Sequence, residues 1–132
     1  MLDRAANAAL MPLLQICARG LVRAGVGADV VTLIGFGIGV AAAVAIAMQS
    51  YVVGLVLLLT SRLADGLDGP VARLTRATDR GAFLDICLDF LFYARIPLAF
   101  AIADPAANAL PATVLLAAFI GTGSSFLAFA VL

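Results

Sequence analysis

Four long apolar stretches limit what this chain can fold into: Val30 to Met48, Tyr51 to Leu63, most of Gly81 to Ala103, and Thr113 to Leu132. Stretches of this length and character suit helices in a bilayer. Nothing in the sequence repeats the alternation of apolar and polar residues that a transmembrane β-barrel needs. With 64% hydrophobic residues and a mean hydropathy of +1.16, the chain is too apolar for a soluble domain or a disordered segment.

The beginning of the chain is polar enough to stand apart. The segment from Met1 to Ala9 does not read as a secretory signal, because the apolar run expected behind it is broken by Gln15, Arg19 and Arg23. From Leu10 to Val22, the residues Leu10, Leu13, Leu14, Cys17 and Leu21 recur at helical spacing, which predicts a helix lying at the membrane interface. Arginines orient the rest. Arg4, Arg19 and Arg23 precede the first apolar stretch, while Arg62, Arg73, Arg76 and Arg80 cluster between the second and third. The connections at Gln49-Ser50 and at Asp104 to Pro111 carry none. Two crossings separate the basic segments, so the positive-inside rule puts the N-terminus and the segment from Asp65 to Arg80 in the cytoplasm of a multi-pass cell-membrane protein.

Every acid is Asp and every base is Arg; the chain has no Lys, Glu or His. Histidine-dependent catalysis, zinc held by His and a P-loop lysine are therefore excluded. Cys17 and Cys87 fall near the cytoplasmic side, where thiols stay reduced, and no structural disulfide is expected. Arg76 and Arg80 read first as topology determinants. Arg95, deep in an apolar stretch, could meet a carbonyl, snorkel outward or line a cavity.

Gly25 and Gly27 interrupt the first helical pattern, and Asp29 reads as the N-cap of the first membrane helix, which runs to about Met48. The second starts near Tyr51, about 14 residues or roughly 21 Å of helix before Asp65, against a hydrocarbon core of about 30 Å. Carboxylates at that depth need a wet cavity, a partner or a metal. The third is expected from about Gly81 past a kinking Pro97, Asp104 to Pro111 as an outer loop, and the last from about Ala112. Because the chain stops at Leu132 within an apolar run, its C-terminal part is expected to be missing.

Five aspartates, Asp65, Asp68, Asp79, Asp85 and Asp89, crowd into this polar end. On a continuous helix, Asp65, Asp68, Gly69, Ala72 and Arg73 share an arc of about 140°. Gly81, Asp85 and Asp89 lie within about 80° of one another. Pro70 either kinks the helix or restarts it. Two such faces joined by a short loop can converge four carboxylates, Asp65, Asp68, Asp85 and Asp89, while Asp79 reads as a cap or a solvated charge. Unrelieved, the four would repel one another, and a hard divalent ion, Mg²⁺ or Mn²⁺, suits oxygen ligands. Magnesium takes phosphate oxygens readily, small residues at Gly69, Ala72 and Gly81 admit a ligand to the backbone, and Arg73 could neutralise a phosphate.

The stretch from Asp65 to Asp89 resembles the CDP-alcohol phosphotransferase motif D-x-x-D-G-x-x-A-R, a spacer, then G-x-x-x-D-x-x-x-D. Its fixed positions fall on Asp65, Asp68, Gly69, Ala72, Arg73, Gly81, Asp85 and Asp89. The spacer from Leu74 to Arg80 is one residue shorter than is usual in the family. The segment from Ala18 to Gly35 is similar to the phosphatidylinositol-phosphate synthase branch, although Ala28 stands where that branch usually has proline. This resemblance implies a single domain over residues 1–132. Its fold would be all-α, a polytopic transmembrane helix bundle with an N-terminal interfacial helix and about four of the family's six membrane helices, in a homodimer.

By position, the resemblance implies one metal on Asp65, Asp68 and Asp85, a second on Asp65, Asp85 and Asp89, and Asp89 as general base. CDP-lipid contacts would come from Ala28, Asp29, Gly69, Ala72, Arg73, Gly81 and, with the spacer aligned from its Gly81 end, Thr78. The activity implied is Mg²⁺- or Mn²⁺-dependent transfer of a phosphatidyl group from CDP-diacylglycerol to an acceptor alcohol with release of CMP, in phospholipid biosynthesis. Membrane lipids are expected partners and nucleic acid is not. Phe90 follows the last aspartate where the family often has Lys or Arg, so no acceptor is assigned. A membrane prenyltransferase also places aspartates and magnesium on a diphosphate. The contiguous Ala72-Arg73 pair and the four-residue aspartate spacing favour the CDP reading. A proton or cation transporter would place its acids nearer the midplane on a path open to both faces. An inactive scaffold or truncated product is the remaining alternative.

Overall fold

A computed structural model describes the backbone of residues 2–131 and the side chains of residues 11–130. Met1, the side chains Arg4 and Leu10 used above, and the Leu132 terminus lie outside the described residues. The chain is all-helical there, without a strand: α1 (Leu2–Arg23), α2 (Ala28–Ala47), α3 (Tyr51–Leu74), α4 (Asp79–Ala103) and α5 (Pro105–Val131).

The α1–α2 connection is a Schellman turn. Val26 N–H donates to Leu21 O and Gly25 N–H to Val22 O at 3.0 Å each, with Gly25 at φ 77°. That φ lies in the left-handed region, which glycine enters without a Cβ penalty. Gly27, extended at φ −82° and ψ 163°, is the N-cap of α2 and offers no side-chain bond. Asp29 is therefore not the expected cap but a first-turn acid, where it complements the helix dipole and is free to face another element.

α2 packs against both α3 and α4, α1 packs on α3, and α5 packs on α4. The face of α2 that does this is made of small residues: Gly35, Gly39, Ala42 and Ala43 are buried. A Cβ on Gly35 would sit 3.1 Å from Ala64 Cβ, and one on Gly39 would sit 2.8 Å from Phe92 Cδ2 and 2.9 Å from Ser61 Oγ. In lipid, where no hydrophobic gain draws helices together, such close backbone approach supplies the contact. Ser61 Oγ donates to Gly35 O at 2.8 Å and so satisfies its own hydroxyl in the buried seam. α1 enters the core through Ala18, which packs with Val31 and Val71.

Of the two readings of Pro70, the restart is not adopted: α3 passes through the buried proline as one helix to Leu74. Two further helix ends differ from expectation. α4 starts two residues before Gly81: Thr78 is its N-cap, with Oγ1 accepting from Gly81 N–H at 3.0 Å, and Asp79 occupies the first turn, exposed. Asp104 to Pro111 is not an outer loop. Asp104 Oδ1 accepts from Ala107 N–H at 3.1 Å, Pro105 stands first in α5, and Pro111 is carried inside the helix. An aspartate N-cap followed by proline at the first helical position is a helix start, and it overrides the turn signal of the second proline.

Gln49, at φ 62°, donates from Nε2 to Ala103 O at 2.8 Å, and Tyr51 stacks on Phe100 with ring centroids 6.0 Å apart. The α2–α3 turn and the α4–α5 turn thus lie at one end of the bundle, and the segment from Asp65 to Arg80 lies toward the other. Three helices, Ala28–Ala47, Asp79–Ala103 and Pro105–Ala130, are long and apolar enough to cross a membrane. α3 is not among them on composition, because Arg62, Asp65, Asp68 and Arg73 crowd its second half. Among the described residues, length and composition alone thus single out three of the about four expected membrane helices.

Candidate active site

Asp65 and Asp68 are carried by α3 and Asp85 by α4, and one carboxylate oxygen from each lies within 4.8 Å of the others. All three are partly buried. The approach is anchored from α2, where Thr32 Oγ1 lies 2.8 Å from Asp68 Oδ2 and 3.1 Å from Ala28 O. One hydroxyl hydrogen can serve only one of these at a time, and the shorter contact is to the carboxylate. Thr32 is 7% exposed, so water competes little for that bond.

Asp89, one helical turn beyond Asp85, is placed differently. Its Oδ1 accepts from Arg62 Nη1 at 2.9 Å, and the same nitrogen lies 3.3 Å from Asp65 Oδ2. The structure thus gathers Asp65, Asp68 and Asp85 and sets Asp89 beside them on an arginine. Asp79 stays out of the cluster, at the start of α4. Among the described residues, no cation lies within ion-pair distance of Asp68 or Asp85. Two unit charges 4 Å apart repel by about 4 kcal/mol at an effective dielectric of 20. A triad of carboxylates left to itself is thus a poor arrangement, and a hard divalent cation fits both its charge and its all-oxygen donor set.

A cavity of about 150 Å³ opens beside the triad. Its walls include Asp68 and Asp85 together with Ala28, Asp29, Gly69, Ala72, Thr78 and Gly81, six positions expected to meet a CDP-lipid. The small residues leave backbone exposed to a ligand. Gly81 is further constrained: a Cβ there would stand 3.1 Å from Asp29 Oδ1 and 3.2 Å from Thr78 Oγ1. Arg80 Nε lies 3.9 Å from Asp29 Oδ2, but the arginine is 80% exposed and the pair contributes little.

Arg73 is not among the residues that wall this cavity. It lines a separate cavity of about 380 Å³ with Gln15, Arg19, Pro70 and Leu74, on the α1 side of α3. Arg73 stands at one edge of the arc of about 140°, and its Nη1 lies 3.6 Å from where a Cβ on Gly69 would stand. Arg76, read from sequence as a topology determinant, takes the place on the cavity wall. Sequence reasoning gave no site role to Thr32 or to Arg62, which it counted only among the arginines that set the topology. Thr32 carries no signal, being one threonine in an apolar run. Arg62 carried one, a cation three residues before Asp65 on the same helix. Arg95 lies 4.2 Å over the Phe36 ring, a cation–π contact between α4 and α2.

Residues 26–132 match the CDP-alcohol phosphatidyltransferase family, and the chain belongs to it. Among curated proteins it is similar to the inner membrane protein YnjF of Escherichia coli (strain K12), at 54% identity over 132 residues. The alignment takes in 100% of this chain and 64% of that relative, so the chain spans somewhat under two thirds of the relative's length. No solved structure matches. Apolar helices and an inner-membrane relative together define a multi-pass membrane protein.

Proposed function

We propose that this protein transfers a phosphatidyl group from CDP-diacylglycerol to an acceptor alcohol, releasing CMP, at a cytoplasmic site in the membrane. The observation that carries this reading is the convergence of Asp65, Asp68 and Asp85 at a cavity walled by Ala28, Gly69, Ala72 and Gly81, in a chain of the CDP-alcohol family. Acyl chains of the donor would lie in the bilayer and its cytidine diphosphate at the cavity, which accounts for acids set so near apolar helices. The distribution of arginines supports the cytoplasmic orientation.

Asp65, Asp68 and Asp85 would hold one divalent ion, Mg²⁺ or Mn²⁺, with a second reached through Asp89. Such ions supply positive charge to the diphosphate and to the departing CMP. Thr32 keeps Asp68 oriented by its 2.8 Å bond. Gly69, Ala72 and Gly81 let the diphosphate approach the backbone, and Arg76 offers its charge at the wall. Asp89 takes the proton of the acceptor hydroxyl at a carboxylate oxygen as that hydroxyl's oxygen bonds to the lipid-linked phosphorus and the phosphorus–oxygen bond to CMP breaks. A carboxylate is a weak base, so positioning and charge must provide most of the acceleration. A homodimer is the assembly proposed, as is usual in the family.

The test is CMP release from CDP-diacylglycerol with Mg²⁺ across a panel of acceptors, including inositol phosphate, glycerol phosphate and serine. CMP formed in step with a new phospholipid for one acceptor is the expected result. Diphosphate release from a prenyl donor, or metal-dependent ion flux without CMP, would overturn the reading.

A further inference from the structure

Arg62 lies outside every fixed position of the aspartate motif, yet it touches one carboxylate of the triad, Asp65, and the carboxylate beside it, Asp89. Its Nη1 is 2.9 Å from Asp89 Oδ1 and 3.3 Å from Asp65 Oδ2, while its Cζ lies 3.8 Å over the ring of Phe92. Phe92 is itself buried. The Nε of Arg62 is buried with no hydrogen-bond partner. The backbones of α3 and α4 do not approach each other closely among the described residues, since α2 lies against both, and side chains bridge the gap. Arg62 therefore reaches across from α3 to α4 at the level of the site.

Arginine–carboxylate pairs are frequently bidentate, and most buried donors are satisfied. Here a single nitrogen serves two carboxylates from two helices, Nε goes unsatisfied, and the guanidinium rests between the combined negative charge and the Phe92 ring. Asp65 is shared: it belongs to the triad and to the arginine. A divalent ion that sought Asp65 and Asp89 together would meet a positive charge already on them.

We propose that Arg62 is a positioning residue acting as an internal counter-cation: it holds Asp89 to Asp65 while no ion bridges them, and competes with a divalent ion for that pair. This rests on the metal-dependent reading above. With an ion bound to the pair, the guanidinium would release Asp89, and Phe92, 3.8 Å beneath it, would hold it within reach of the carboxylate. The buried aromatic ring gives it a resting place that is not a carboxylate.

A purely structural bridge and a competing cation differ in sign. Removing a structural bridge loosens α3 from α4 and weakens metal binding; removing a competitor strengthens it. Mn²⁺ titrations of the purified protein in lipid nanodiscs, followed by electron paramagnetic resonance, read this directly. In Arg62→Gln the weaker class of bound Mn²⁺ is expected to tighten by about tenfold, the scale of one hydrogen bond between charged groups. Arg62→Lys, which keeps the charge but loses the planar fork, is expected to tighten it by less, and it serves equally if the Gln variant does not fold. In an Asp89→Asn background the gain from Arg62→Gln is expected to vanish. Unchanged or weakened Mn²⁺ binding in Arg62→Gln, or in Arg62→Lys if that alone folds, overturns the proposal. A gain that persists without the Asp89 carboxylate does so as well. If the unaltered protein binds no Mn²⁺, this proposal and the metal-dependent reading fall together; if it binds Mn²⁺ and the Arg62 variants match it, only this proposal falls.

Discussion

Thr32 Oγ1 stands 2.8 Å from Asp68 Oδ2 in a seam that water barely enters, and this contact gives the aspartate site a support from a helix that contributes no acid. A hydrogen bond to a charged group is worth about 1.5–3 kcal/mol. Thr32→Val should therefore lower kcat/KM for CMP release by at least about tenfold, whereas Thr32→Ser, which keeps the hydroxyl, should stay near the parent. Equal loss in both variants would assign the effect to packing. Asp89 sits on Arg62 and outside the carboxylate triad. Asp89→Asn should consequently reduce turnover by about a hundredfold or more, the scale of a general base, while CDP-lipid binding stays measurable by titration calorimetry. Retained turnover would remove Asp89 as the base. At this scale the motif made the acids visible, because carboxylates four apart on an apolar helix have few bland uses. It could not reveal Thr32, whose partner is 36 positions away in sequence.

Among the elements, α2 is the one against which the site is built. Its buried glycines let α3 and α4 approach from two sides, with Gly39 facing Phe92 and Ser61 at distances that leave no room for a Cβ. Gly39→Leu should destabilise the bundle by about 1–3 kcal/mol through overpacking, read as a lower unfolding temperature in detergent. The same change at Gly37, where nothing lies within 4 Å, should leave that temperature near the parent value. Equal effects at both positions would refute the packing argument. The helices themselves were legible as apolar stretches, but their ends were not. Asp29 resembled a cap and became a first-turn acid because Gly27 took the extended position. Asp104 to Pro111 looked like a loop on its two prolines, yet Asp104 caps α5 and Pro105 opens it. Local signals compete at helix ends, and the backbone conformation chooses between them.

Seen as a whole, the molecule has two unlike ends. The Gln49 and Ala103 contact closes one, without a basic side chain in either turn, and the carboxylate cavity with its surrounding arginines occupies the other. With Cys17 and Cys87 replaced by serine, a cysteine at Ala77 should react with a membrane-impermeant maleimide only after cells are opened. A cysteine at Ala107 should react in intact cells. The reverse pattern would invert the proposed orientation. Both positions are exposed, so access rather than burial decides the labelling.

Composition by itself determined a helical membrane chain, and the resemblance of Asp65 to Asp89 to a known motif pointed to the family, since hydropathy and a fixed motif are local properties that survive without neighbours. Which side chains actually meet depended on how α2 seats α3 against α4. In that packing Arg73 lines the cavity beside α1, Arg76 lies on the wall of the aspartate cavity, and Arg62 stands between Asp65 and Asp89. A helix wheel gives the direction of a residue on its own helix, but the partner it meets is set by the approach and rotation of other helices. In this chain those are governed by the small residues of α2 and by buried bonds such as Ser61 to Gly35.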